Sequence, residues 1–218
     1  MCYYFSIKNL GNGLLLFPIF LFFGGVFMLL SVKKRQTYLK ELGFYDGAVD
    51  GKAGAKTKAA YKALQDKHFK RESDRDGIYG SNTDILLRNA YNVKKYTKNF
   101  DLDEFECQCK GRYCTGYPAT LSVNLLKNLQ AVRDKFGSTT ITSGLRCKRH
   151  NINEGGASKS KHMYGKACDI RNSTSRSLAG RRKIMSFWKT LKYWNYTYCN
   201  ENGNYPNMGT AVHVDVYK

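Results

Sequence analysis

The sequence predicts an α+β protein in two parts, a small all-α unit followed by a unit that mixes helices with short strands. Three observations carry this expectation. The pattern Asp-Gly-x-x-Gly-x-x-Thr occurs twice, as DGKAGAKT at 50–57 and DGIYGSNT at 76–83, and each copy leads into apolar residues at helical spacing. Short β-rich segments, TTITS, KACDI and AVHVDVYK, lie in the second half. The length of 218 residues accommodates one large domain or two small ones, and an internal repeat favours two.

The chain begins with an apolar segment, assigned to residues 1–31, whose run LLLFPIFLFFGGVFMLLSV at 14–32 holds no charge and nearly reaches membrane-spanning length. A signal peptide, a signal anchor, a transmembrane helix and a translation start at Met28 are the open readings. The run lacks an A-x-A cleavage pattern. Lys33, Lys34 and Arg35 follow it directly, which by the positive-inside rule would hold the rest in the cytoplasm.

Residues 32–92 form the first unit. Val32, Gln36, Leu39 and Leu42 fall on related turns of a short helix stopped by Gly43. After Thr57 come Ala60, Tyr61 and Leu64, and after Thr83 come Leu86, Leu87 and Ala90, so both copies of the repeat open a helix in the same phase. Asp-Gly suits a tight turn because glycine accepts positive φ, and the second glycine is expected to let backbones approach closely. This stretch, VKKRQTYLKELGFYDGAVDGKAGAKTKAAYKALQ followed by DGIYGSNTDILL, resembles the three-helix peptidoglycan-binding domain of bacterial and phage wall hydrolases. The resemblance implies a module that grips wall glycan or stem peptide.

Residues 92–106 change from basic helix to an acidic, extended stretch, which sets a linker at 93–100, with the boundary near 95, and a second unit at 101–218. From Pro118 a helix is expected, with Leu121, Leu125, Leu129, Val132 and Phe136 on one face and Gly137 as its end. TTITSGLRC reads as a strand entering a turn, KACDI as a short strand, and the last residues as a strand with Val212, Val214 and Val216 opposite His213, Asp215 and Tyr217. Two histidines and a carboxylate, His162, Asp169 and His213, then have the donor types of a catalytic zinc site with one open position. A metal there would acidify water and polarise a carbonyl.

Spacing alone makes this a weak signal. The full pattern S-x-H-x-x-G-x-A-x-D, present as Ser160, His162, Gly165, Ala167 and Asp169, together with ITSGLR before it and HVDV near the end, is similar to the D-Ala-D-Ala carboxypeptidase and L-alanyl-D-glutamate endopeptidase family of zinc peptidases. That family shares its fold with the hedgehog signalling domain, and the resemblance implies an α+β zinc peptidase domain with an antiparallel sheet from about residue 98 to the end. It makes His162, Asp169 and His213 the Zn2+ ligands. Arg146 matches a position that stabilises an oxyanion or holds a substrate carboxylate, and Ser160 one that orients a ligand or the substrate. Cys168 and Ile170 are expected to face the core. Many members carry a Glu three residues before the last histidine as general base; here that position is Thr210, and Asp215 is the substitute base or else a partner of an imidazole.

The formal net charge is +19 and is spread along the chain, with sixteen basic against eight acidic residues over 32–100 and nineteen against nine over 101–218. Such a field attracts polyanions, among them anionic wall polymers; nucleic acid is disfavoured because the basic residues form no recognition motif. Seven cysteines, at 2, 107, 109, 114, 147, 168 and 199, form no zinc ribbon. The group ECQCKGRYC leaves a disulfide, a structural metal with Cys147 as fourth ligand, or separate thiols open. His150 is expected at the surface, and for Tyr193, Trp194, Tyr196 and Tyr198 of KYWNYTYC packing on the core is favoured over lining a substrate groove. The combined expectation is a monomeric, endolysin-like peptidoglycan hydrolase that cuts an amide bond in stem peptide or cross-link with zinc-activated water. Its setting is the cell wall or exterior, a membrane anchor through residues 14–32, or the cytoplasm until lysis if it is a phage enzyme. The alternative is a catalytically inactive wall-binding protein of peptidase fold.

Overall fold

The computed structural model describes residues 28–217, so most of the apolar run at 14–32 lies outside the described residues. Among the described residues no helix is long and apolar enough to cross a membrane. Residues 28–31 are already part of the folded unit. Leu30 is buried, its N–H donates to the Asp84 carboxylate at 2.7 Å, and Ser31 caps the first helix. The end of the apolar run is thereby held by protein contacts.

The first unit contains α1 (Val32–Leu42), α2 (Ala55–His68) and α3 (Ser81–Tyr96). Its repeat is a turn-building device organised by two buried glutamines. Gln36 of α1 donates from Nε2 to Asp50, to the Lys52 carbonyl and to Thr57, and accepts from the Gly51 N–H. Gln65 of α2 repeats the set on Asp76, the Ile78 carbonyl, Thr83 and the Gly77 N–H. Each Asp also accepts the backbone N–H two residues on, closing an Asx-type turn. Gly51 and Gly77 take φ of 78° and 71°, which explains the Asp-Gly pair. Gly54 and Gly80 differ from expectation. They are extended N-caps with open space where a Cβ would sit, so a helix start and not a close approach selects that position.

α3 continues through Tyr96, so the expected linker at 93–100 begins inside a helix. The acidic segment after it folds as a 3-10 turn at Leu102–Phe105 and not as extended chain, because its apolar residues Leu102 and Phe105 are both buried. Here the two parts of the chain join. Asn89 of α3 donates to the Ala119 carbonyl at 2.9 Å and accepts the Leu121 N–H at 2.8 Å, and Asp103 accepts from His68 and Tyr117. One continuous apolar core runs from Leu39 and Leu64 through Leu86 to Leu125 and Val214.

That clamp also moves a helix boundary. α4 spans Val123–Phe136 and so starts five residues after the expected Pro118. Leu121 gives its N–H to Asn89, and Ser122 gives its own to the Gly165 carbonyl, which leaves 118–122 as a non-helical lead-in.

The second unit is α+β, with β1 (Thr139–Ser143), β2 (Ala167–Asn172), β3 (Trp194–Cys199) and β4 (Val212–Val216) in one sheet of order β1-β2-β4-β3, every neighbouring pair antiparallel. α4 and α6 (Leu178–Thr190) pack on one face of it. Cys168, Ile170, Val212, Val214 and Val216 are fully buried with Trp188 of α6. The two-residue period then sends Asp169, His213 and Asp215 to the opposite face. Short α5 (Lys148–Asn153) and a 3-10 turn at Lys161–Tyr164 stand at that face.

Two outcomes are expected. Gln65→Leu removes four hydrogen bonds and strands the Asp76 turn, costing about 3 kcal/mol as a fall in the urea midpoint. The buried His68 imidazole is held below its ordinary pKa by desolvation, against the opposing pull of Asp103. The unfolded chain therefore binds the extra proton first, and the stability from neutral His68 is lost as pH falls below about 6.5. His68→Gln should flatten the dependence of the urea midpoint on pH in that range.

Candidate metal centre and cleft

The pairing of β2 with β4 sets Asp169 directly opposite His213. His162 reaches the same point from the 3-10 turn before β2. Gly165 ends that turn at φ 65°, where an added Cβ would lie 2.2 Å from the Thr120 carbonyl oxygen, so the motif glycine is required twice over. All three expected ligands are buried and their donor atoms converge: His162 Nε2 lies 3.4 Å and His213 Nδ1 2.9 Å from Asp169 Oδ1, and the two nitrogens are 3.3 Å apart.

The outer ring nitrogens fix the protonation of the inner ones. His162 Nδ1 donates to the Gly144 carbonyl at 2.8 Å, and His213 Nε2 donates to Asp215 Oδ2 at 3.3 Å. Neutral imidazoles then aim two lone pairs at each other and at a carboxylate oxygen. That arrangement is repulsive unless a cation sits among the three atoms. The set fits a catalytic zinc ion, with two nitrogens and one oxygen as ligands and each imidazole held from behind.

A proton on His213 Nδ1, shared with Asp169, meets the same need as a metal cation. Burial opposes the charge of Asp169, but hydrogen bonds from His162 and His213 outweigh it and hold the carboxyl well below the usual carboxylate range. Burial pushes the His162 imidazole down despite Asp169. Burial also disfavours the His213 cation, yet bonds from Asp169 and Asp215 overcome it and raise its pKa. The two histidines part because His213 alone has a second carboxylate.

Arg146 does not stand apart from the ligands. Its Nη2 donates to Asp169 Oδ2 at 2.7 Å and its Nε to Ser143 Oγ at 2.8 Å, so it fixes the ligand carboxylate while also lining the cleft. Ser160 opens the turn that carries His162 through its backbone, accepting the Met163 N–H, and the cleft wall does not include it. Asp215 sits on the ring nitrogen of His213 that faces away from the other ligands. Its Oδ1 accepts from Asn195 and from the Tyr196 N–H, and its backbone carbonyl accepts from Trp188. Thr210 lines the cleft.

The cleft holds about 710 Å³ and includes Thr142, Asp169, Tyr198 and the 204–211 loop in its wall. A larger groove of about 830 Å³ beside Leu42, Phe44 and Lys94 contains none of the ligands. Tyr198, one of the aromatic residues weighed for a substrate groove, lines this cleft and stacks on His213 at 4.5 Å. Sequence reasoning missed the Gly144 carbonyl, which no side-chain pattern reveals. It also misplaced two features. The aromatic run is an edge strand with Tyr196 more than half exposed, since α6 covers only the other face, and His150 is buried beside Cys147.

Comparison with known proteins agrees with this geometry. Residues 30–84 match the family described as putative peptidoglycan binding domain. A zinc D-Ala-D-Ala carboxypeptidase of Streptomyces albus G is 35% identical over 148 residues, which cover 62% of this chain and 56% of that protein. The chain thus matches little more than half the length of that relative. Residues 98–215, more than half of the chain and the whole of the metal centre, match Peptidase M15. The chain belongs to the peptidase M15 family.

Proposed function

We propose that this protein is a zinc-dependent peptidoglycan hydrolase that cuts an amide bond in the stem peptide or cross-link of the wall. The observation that carries the reading is the convergence of His162 Nε2, Asp169 Oδ1 and His213 Nδ1 beside an open cleft. The peptidoglycan-binding match and the named activity of the Streptomyces relative support the wall as substrate and make a peptide ending in D-Ala-D-Ala the first to try. A lysin-type role at the wall fits the same arrangement.

Zinc at this site supplies Lewis acidity toward a carbonyl and acidifies water. The chain's own residues do the positioning. Gly144 and Asp215 orient the two imidazoles, and Arg146 locks one oxygen of Asp169 so that the other faces inward. From the same place in the cleft wall, the Arg146 guanidinium is suited to a substrate carbonyl or carboxylate. We assign Asp215 to holding His213, since its second oxygen is taken by Asn195 and Tyr196.

A second reading, a wall-binding protein without turnover, is favoured by Thr210 and by that engagement of Asp215. Zinc-loaded protein incubated with purified peptidoglycan and with peptides ending in D-Ala-D-Ala separates the two, with His213→Ala as control. New termini, read by mass spectrometry, are expected with the unmodified protein alone. Binding without cleavage on several wall types would establish the second reading instead. Asp215→Asn is expected to weaken zinc binding about 10- to 100-fold in a chelator competition while retaining turnover at saturating zinc. Loss of turnover with zinc still bound would make Asp215 the base.

A further inference from the structure

A second group of metal-ligand side chains lies outside the cleft. Cys107, Cys109, Cys114 and Cys147 bring four sulfurs within 4.8 Å of one another, all as thiols. A zinc ion with bonds of about 2.3 Å sets tetrahedral sulfurs about 3.8 Å apart, so the cage must contract by no more than roughly 1 Å. The Cys109 and Cys114 sulfurs are already 3.5 Å apart. Three cysteines are buried and the fourth is half-buried.

The surroundings suit thiolates. Backbone N–H groups of Gly116, Cys147 and His150 point at the sulfurs of Cys114, Cys107 and Cys147 at 3.3–3.4 Å. Such donors stabilise negative sulfur, as found around metal-bound ligands. Lys110, Arg112, Lys148 and Arg149 flank the four cysteines in the sequence and offset the charge of a tetrathiolate ion. The loop from 107 to 116 has no helix or strand, and the buried cluster that holds it consists of these cysteines. A loop without an apolar core of its own needs a cross-link.

We propose that these four cysteines bind a structural zinc ion, distinct from the one in the cleft. Four protein ligands leave no open position, so the ion closes the loop and takes no substrate. Cys147 directly follows Arg146 and caps α5 through the His150 N–H. The ion therefore anchors the Gly144–Cys147 turn, whose first carbonyl orients His162 and whose arginine locks Asp169.

The test is metal content of the full chain, purified under reducing conditions with zinc and read by inductively coupled plasma mass spectrometry. Two zinc ions per chain are expected, falling to one in Cys109→Ser/Cys114→Ser and to one in His162→Ala/His213→Ala. Cobalt added to the histidine variant provides a readout free of the cleft, and strong thiolate-to-cobalt charge-transfer bands are expected in the near ultraviolet. One zinc in the unmodified chain with no thiolate bands, bound iron in place of zinc, or intact masses showing two disulfides in protein kept from air would each overturn the proposal. Failure of the wall-cleavage test would leave these outcomes unchanged.

Discussion

The antiparallel register between β2 and β4 is the constraint on which the rest of the molecule depends. It sets Asp169 against His213. Alternation along both strands sends Cys168, Ile170, Val212 and Val214 to the core and the polar residues to the other face. A slip of one residue would bury the carboxylate and the imidazole against α4 and α6 and expose the valines. The hydrophobic effect that folds the sheet therefore also assembles the candidate metal centre.

Around that pair, each ligand is held from behind by a group that a metal cannot supply. The Gly144 carbonyl, Arg146 and Asp215 each engage the atom of a ligand that faces away from the converging lone pairs. Burial makes these contacts strong. The three groups offer converging negative density that a cation relieves. An arrangement of this kind is organised for a metal before the metal arrives.

The helical first unit and the peptidase unit are not beads on a string. Asn89 uses both ends of its amide on the backbone at Ala119 and Leu121, next to Ser122, whose N–H donates to the Gly165 carbonyl, and Gly165 closes the turn bearing His162. A continuous chain of hydrogen bonds and backbone thus leads from α3 to His162. The two duplicated turns serve a different end, since Gln36 and Gln65 use them to fasten successive helices, and the repeat reflects that shared geometry.

Much of this was written in local sequence. The Asp-Gly turns, the helix starts at the repeats, the strand alternation in VHVDV and the spacing from His162 to Asp169 depend on neighbours in the chain, and their residue types name them. Local pattern also offered His162, Asp169 and His213 as candidate metal ligands, through the full S-x-H-x-x-G-x-A-x-D pattern and HVDV and not through spacing alone. Tertiary structure alone decided the start of α4, the helical continuation to Tyr96, the burial of His150, the exposure of Tyr196 and the direction of Asp215. Two of these turn on a partner far away in sequence: Asn89 for Leu121, and Asn195 and Tyr196 for Asp215. Periodicity reports which face of an element is apolar. It carries no record of which backbone carbonyl or amide, tens of residues away, will meet the polar one.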